Sequence, residues 1–474
     1  MFRFRYFLFI SILALLIVPG CKKEGGKLLD NDDDNDTTII TPPYVQTTPW
    51  HRWIFGHWVW EDESTQQSAQ SLVDDYLAHG IPVGAIIIDS PWETDYNTNI
   101  PDPAYYPNMK GMVDYFHSKD VRVVFWITGC VNTDVQPLYD SIANLNYFMK
   151  KSAGASGPGV FNWWKGDGSL IDLFSPAAVS WWKSMTDTVL NLGIDGWKCD
   201  GTDYYALPIF DSNYSPGKPG SVARLDYSHA YYRFYYNYTR EKLGNDRIIF
   251  SRPIDNYGTG AGGDFVAFTP KDIGFACWVG DQDATFDGMR AALNNMYESY
   301  LYGYLSFGSD IGGYREDANF PPQMRSKELF VRWAQMGAFS PIMENGGGGE
   351  HRPWMFDQQT TDIYRQLVLM RQSMIWYLDE TAKSCFAAGT SMMQFFNKTD
   401  YSYKLGEDIF VTPIISTNNT LTINFPPGAD KWVYVFDKTQ VFDGGSSATL
   451  TFDIDKFPLF TKQGSLIEKK LTPQ

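Results

Sequence analysis

A chain of 474 residues with 44% hydrophobic content and a formal net charge of −16 holds enough apolar material for a large core and is too long for one small domain. The acidic balance excludes a nucleic-acid binder, which needs a basic surface to neutralise phosphates, and the composition does not fit a disordered polyelectrolyte. The 16 Trp, 29 Tyr and 32 Phe supply either a well-packed core or aromatic faces that stack on sugar rings.

The amino terminus reads as an export signal. Arg3 and Arg5 precede an apolar run from Tyr6 to Val18, and Val18-Pro-Gly-Cys21 follows as a cleavage site. The small residue before Cys21, then Lys22-Lys23, resembles the lipobox of bacterial lipoproteins. Residues 1–20 are therefore expected to be removed and Cys21 lipidated, giving an exported periplasmic or outer-membrane lipoprotein of a bacterium, held to the membrane through that lipid alone. Residues 21–45, with Asp30-Asn-Asp-Asp-Asp-Asn-Asp36, read as a solvated acidic tether; the glycine and final glutamate of a calcium loop are missing. Cys130, Cys199, Cys277 and Cys385 are widely spaced and fit buried free thiols. With six His and no paired-ligand motif, neither a metal nor a cofactor is expected.

Residues 46–379 alternate apolar runs with helical patterns. Strands are predicted at 83–89, 121–127, 169–174, 194–200, 247–252, 275–281, 304–310 and 340–343, and helices at 66–79, 110–118, 177–192, 228–243, 287–303 and 326–337. Such alternation is the pattern of an α/β fold, a (β/α)8 TIM barrel whose active site lies at the carboxyl ends of the strands. An open doubly wound sheet is disfavoured because no Gly-rich phosphate loop follows the first predicted strand. Residues 380–474 change texture: short runs at 408–413, 421–425, 432–436, 448–452 and 459–460, separated by Gly, Pro and Asn turns, predict a C-terminal antiparallel β-sandwich.

Asp89, Asp172, Asp200, Asp281 and Asp310 each end an apolar run. Taken singly, a rim aspartate caps the next helix or pairs with Arg or Lys. Five together, among Trp126, Trp164, Trp278 and Arg252, point to a polar sugar pocket with aromatic walls. Retaining glycoside hydrolysis needs an ionised carboxylate to attack the anomeric carbon and a protonated one to serve the leaving oxygen, about 5–5.5 Å apart. Asp200 suits the first role, with Lys198 on the same strand face to keep it ionised. Asp281 suits the second, with Trp278 and the bound sugar expected to desolvate it and raise its pKa.

At these residues the chain resembles glycoside hydrolase family 31, retaining enzymes that act mostly on α-glycosides. The resemblance rests on Asp89-Ser-Pro-Trp92, Trp164-Lys-Gly with Leu170-Ile-Asp-Leu-Phe-Ser-Pro176 and Trp181-Trp182, the nucleophile block from Gly193 to Asp203, and Trp278-Val-Gly-Asp281. It rests further on Leu305-Ser-Phe-Gly-Ser-Asp-Ile-Gly-Gly-Tyr314, the block from Glu328 to Pro341, and Leu405-Gly-Glu-Asp with Phe460-Thr-Lys-Gln-Gly-Ser-Leu-Ile467. It implies Asp200 as nucleophile and Asp281 as acid/base. It implies a sugar-binding set of Asp89 and Arg252, with walls from Trp164, Trp278 and Tyr314; Trp126, Lys198, Asp203 and Asp310 are candidates beside them.

Three departures bear on the substrate. The barrel begins almost directly after the tether, where members usually carry a large amino-terminal β-sandwich. The usual Arg-x-His sugar-binding pair is replaced by Glu344-Asn-Gly346, followed by a glycine-rich loop to His351, which either substitutes as a ligand or is a loop residue. Lys198 stands where many α-glucosidases have Trp, as in branches that act on xylosides and other sugars. The expected function is a retaining, exo-acting α-glycosidase on oligosaccharides or glycoconjugates. The alternatives are a transglycosidase with the same site and a non-catalytic surface glycan-binding protein.

Overall fold

The structure, a computed structural model, describes residues 45–201, 214–255, 265–316 and 324–473. The export signal, Cys21, the acidic tether and Asp203 lie outside them. From Val45 onward the chain forms one compact unit.

Seven parallel strands form the main sheet. His57–Glu61 pairs with Ala85–Ile88, which pairs in turn with Arg122–Ile127, Gly196–Cys199, Ile248–Ser251 and Ala276–Cys277; Met343–Asn345 lies on the other side of His57–Glu61. Residues 308–310 bridge the two outer strands, through the parallel pairs Trp278↔Gly308 and Asp310↔Glu344. That link closes the barrel as eight staves. Runs such as Ala85–Ile88 and Val123–Ile127 are buried throughout, because sheet and helices cover both faces of each strand. This is why the apolar runs were so visible in the sequence.

One stave is added to the predicted strands and one predicted strand is corrected. His57–Glu61, the first stave, was not predicted: a 3-10 turn at Arg52–Phe55 runs straight into it, and its His and Glu ends break the apolar run. The predicted stave at 169–174 is not in the barrel. Gly166–Leu170 belongs to an antiparallel three-stranded sheet with Val160–Trp163 and Cys130–Asn132, an excursion between the third and fourth staves. Gly168 is required there, because a Cβ would stand 2.4 Å from Cys130 Sγ and 2.9 Å from the Val131 carbonyl. Asp172 is therefore not on the rim. It is buried and accepts from Ser215 Oγ and from the amides of Phe174 and Ser175, in the turn that precedes helix Pro176–Leu190; that helix has no side-chain cap.

The six predicted helices correspond to Gln66–Ala78, Met109–Ser118, Pro176–Leu190, Arg224–Leu243, Phe286–Leu301 and Lys327–Ala338. The first, second, fifth and sixth begin on side-chain caps: Thr65, Asn108, Thr285 and Ser326. Helix Lys327–Ala338 is buried on every face from Leu329 on, because the C-terminal domain covers the side that would otherwise meet water. Arg332 reaches the Lys456 carbonyl at 2.9 Å and Gln335 the Ile454 carbonyl at 2.8 Å across that contact. From helix Gln358–Ser373, Arg371 donates to four buried carbonyls, of Phe55, Ala338, Ser340 and Pro341.

The C-terminal domain has a six-stranded antiparallel sheet and a separate antiparallel pair, Thr420–Asn424 with Ser447–Thr451. Met393–Phe395, Tyr403–Leu405 and Val441–Asp443 add to the predicted strands. Phe425, leaving the pair, packs its ring 4.6 Å from Phe442 and 4.9 Å from Phe460, and so joins the two layers. The four cysteines of these two domains are free and buried.

Candidate active site

The carboxyl ends of the staves converge on one charged cluster. Asp200 follows stave Gly196–Cys199, Arg252 follows Ile248–Ser251, and Asp281 follows Ala276–Cys277. The Arg252 guanidinium contacts both carboxylates, through Nε to Asp200 Oδ1 at 3.4 Å and Nη2 to Asp281 Oδ1 at 2.9 Å. Its side chain is 3% exposed, whereas those of Asp200 and Asp281 are 15% and 29% exposed. The cation thus lies behind the two carboxylates and leaves them open to solvent. Asp200 also accepts from Trp126 Nε1 at 3.2 Å and the Gly201 amide at 2.9 Å. Trp278 lies buried under Arg252, with the guanidinium 4.9 Å from a ring centroid.

Beside this group Lys198 donates to Asp89 Oδ2 at 2.6 Å, both side chains nearly buried. Burial works against the Lys198 charge, but Asp89, Asp310 and Asp200 outweigh it and raise its pKa. Burial raises the Asp89 carboxyl to about 6, against the pull of Lys198. Lys198 therefore serves Asp89 first; the direct donors to Asp200 are Trp126, Gly201 and Arg252. Asp281 differs from expectation. Burial pushes its carboxyl up, yet Arg252, Lys198 and Arg315 more than offset that and hold it below the usual range. Trp278, expected to desolvate Asp281, also lies against the Arg252 cation. Trp164 is 40% exposed and lies against the turn after Asp200, where a Cβ on Gly201 would stand 3.1 Å from its ring.

The model of the glycosyl hydrolase family 31 TIM-barrel domain matches residues 48–381. The chain belongs to glycosyl hydrolase family 31. The family's C-terminal domain model matches residues 368–467. An α-xylosidase of Emericella nidulans is 25% identical over 87% of this chain and 53% of its own length. An isomaltosyltransferase of Sporosarcina globispora is 24% identical over 89% of this chain and 41% of its own. The crystal structure of a family 31 α-xylosidase from a soil metagenome, complexed with xylose, aligns with a TM-score of 0.74 at 17% identity, covering 89% of this chain and 65% of that one. The chain spans about half the length of these two sequence relatives.

In this family 31 barrel the altered segment Glu344–Gly346 has a structural counterpart that sequence reasoning missed. Trp60, on the unpredicted first stave, donates Nε1 to Glu344 Oε2 at 2.8 Å. Its ring carries the Lys198 ammonium 3.7 Å from a centroid and lies nearly parallel to Tyr314, at 6.0 Å and 17°. A Cβ on residue 346 would fall 2.2 to 2.4 Å from three indole atoms of Trp60. The indole occupies the room that a side chain at 346 would take. Tyr314 donates to Asp62 Oδ2 at 3.1 Å, which brings in a second unpredicted carboxylate. Asp310 is buried beside Glu344 on the neighbouring stave. His351 is buried in the loop, with Nδ1 facing the Ile311 carbonyl at 3.2 Å and Asn345 Oδ1 at 3.3 Å, and burial keeps its ring neutral. Nε2 of His351 is buried and meets no hydrogen-bond partner among the described residues, so the ligand and loop alternatives both stay open. The signal for Trp60 and Asp62 was the run His57-Trp-Val-Trp-Glu-Asp62, a short β-prone apolar run that ends on carboxylates like the other stave ends.

Proposed function

We propose that this family 31 chain is a retaining, exo-acting α-glycosidase that hydrolyses the terminal α-linked sugar of an oligosaccharide by double displacement. The observation that carries this reading is the single guanidinium bonded to Asp200 and Asp281, which follow the staves on either side of its own, both carboxylates partly exposed to solvent. A guanidinium's width is compatible with the roughly 5–5.5 Å separation that retention requires. Asp200 attacks the anomeric carbon as the glycosidic C–O bond breaks, while Asp281 gives its proton to the leaving oxygen. Water then attacks the glycosyl ester, Asp281 takes the water's proton, and Asp200 leaves as carboxylate. Trp126 and the Gly201 amide hold Asp200 on one oxygen each, which orients the attack.

Asp281 must be protonated for the first step, although three cations favour its charged form in the free site. Sugar binding supplies the desolvation that shifts it back. The buried Lys198–Asp89 pair offers a donor and an acceptor to sugar hydroxyls, and Lys198 together with the α-xylosidase relatives supports an α-xyloside as the first substrate to try. Transglycosylation is the second reading, favoured by the isomaltosyltransferase relative. The test is proton NMR of the first product from a panel of aryl α-glycosides. Initial release of the α-anomer supports the reading; the β-anomer, or binding without turnover, refutes it. Export and lipidation at Cys21 are part of the same proposal, and membrane release of a Cys21→Ala variant tests them.

A further inference from the structure

Asp310 and Glu344 lie side by side on neighbouring staves, paired in register and buried, each side chain acting directly on the other's proton affinity. Two carboxylates cannot hydrogen-bond without a proton, because an ionised carboxyl has acceptors only. Asp310 Oδ2 and Glu344 Oε1 are buried and, among the described residues, meet no donor N–H or O–H. One proton between the two groups satisfies both oxygens and removes one of two buried like charges. We propose that Asp310 and Glu344 share one proton beneath the sugar site, and that this proton fixes the position of Trp60 and Lys198, making the pair a pH-titrated positioning element.

The connections are short. The second Glu344 oxygen accepts from Trp60 Nε1 at 2.8 Å, and Trp60 carries the Lys198 ammonium on its face. Lys198 in turn holds Asp89 at 2.6 Å. The charged groups facing the pair are Lys198 on the fourth stave, Asp281 beyond the sixth, and Arg325 ahead of helix Lys327–Ala338. Burial pushes Asp310 well above the carboxylate range and Glu344 adds to it; burial also raises Glu344, against the bonds from Asp310 and Trp60 and the Lys198 charge. At alkaline pH the proton passes to solvent hydroxide, leaving two adjacent buried carboxylates. Their repulsion displaces Glu344, and with it Trp60 and Lys198.

Glu344→Gln and Asp310→Asn test this, since an amide N–H stands in permanently for the shared proton, and either variant serves should the other fail to fold. The wild-type protein is expected to show an infrared carbonyl band of a protonated carboxylic acid at neutral pH that both amides lose, read in wild-type-minus-variant difference spectra that cancel the band of buried Glu93, which burial pushes up to about 8. A carboxyl whose folded pKa is raised contributes stability that is complete below the unfolded value of about 4 and is lost as pH rises through the folded one. Wild-type Tm should therefore fall relative to Glu344→Gln as pH rises. The alkaline limb of kcat/KM, measured on an aryl α-xyloside or on whichever aryl glycoside is turned over, should move upward by at least about one pH unit in the amide variants. Absence of the acid band, Tm curves that stay parallel with pH, or an unmoved alkaline limb would each overturn the proposal. The spectroscopic and thermal arms are independent of the glycosidase reading, so failure of that reading is recognised separately.

Discussion

Replacing Gly346 by Ala adds one methyl group to the most tightly occupied point of the site. The backbone there is outside the left-handed region, so alanine carries no conformational penalty. All of the cost falls on Trp60, whose indole atoms would be 2.2 to 2.4 Å from the new carbon and which is 2% exposed. Trp60 cannot retreat freely, because Tyr314, the Lys198 ammonium and the Glu344 hydrogen bond surround it. Overpacking of this kind costs about 1–3 kcal/mol. If the indole also leaves Glu344, a hydrogen bond to a charged group is lost, about 1.5–3 kcal/mol more. We expect Gly346→Ala to lower the urea midpoint with m unchanged and to raise KM more than it lowers kcat, because Lys198 and Asp89 shift while Asp200 and Asp281 do not. Trp60→Phe, smaller and without the N–H, should relieve the clash. The double variant should then be more stable than additivity predicts, by at least about 0.5 kcal/mol. A Gly346→Ala protein as stable as wild type, or a strictly additive cycle, would refute this account of why position 346 is glycine.

Asp281→Ala is expected to lose about 10²- to 10⁴-fold in kcat/KM on a glycoside with a poor leaving group, and much less on a nitrophenyl glycoside, whose leaving oxygen needs no proton; equal losses would remove its acid role. Asp195, fully buried, meets a burial penalty that His117, Arg122 and Arg247 outweigh, holding its pKa at about 2. A depressed carboxyl contributes stability above its unfolded pKa and loses it as pH falls toward the folded one. Asp195→Asn should therefore cost about 2 kcal/mol at pH 7, with the gap closing between about pH 4 and pH 2, as chemical denaturation at several pH values would show. Arg371→Met should strip four buried carbonyls of their donor and cost upward of about 3 kcal/mol, read as a lower Tm with kcat unchanged in the folded fraction.

Much of the barrel was legible because parallel staves covered on both faces must be written as continuous apolar runs, and Ala85–Ile88 and Val123–Ile127 are such runs. The errors came where that rule has exceptions. His57–Glu61 carries polar ends at the rim, and 169–174 has an apolar run that serves an antiparallel excursion instead. Rim aspartates were readable as a set, but sequence cannot say which cation each one meets. Lys198 went to Asp89, and Arg252 went to both Asp200 and Asp281, reversing the expected direction for Asp281. Trp60 was invisible for a related reason: its importance lies in the space vacated at Gly346, 286 positions away along the chain.

The closing link of the barrel has a mechanical consequence. Asp89, Trp126, Lys198, Asp200 and Arg252 are carried by staves joined through four-residue ladders. Asp281 and Asp310 hang on a two-residue stave and on single bridges through residues 308–310. One side of the cleft is therefore stiff and the other can breathe, and amides at Val279, Gly308 and Ile311 should exchange with solvent through shallower openings than those at Ile86, Val124 and Trp197. Arg252, bonded to Asp200 and Asp281, and Tyr314, bonded to Asp62, tie the stiff jaw to the loose one. The gap between Asp200 and Asp281 is thus a sprung distance, free to widen when a water molecule must enter between them.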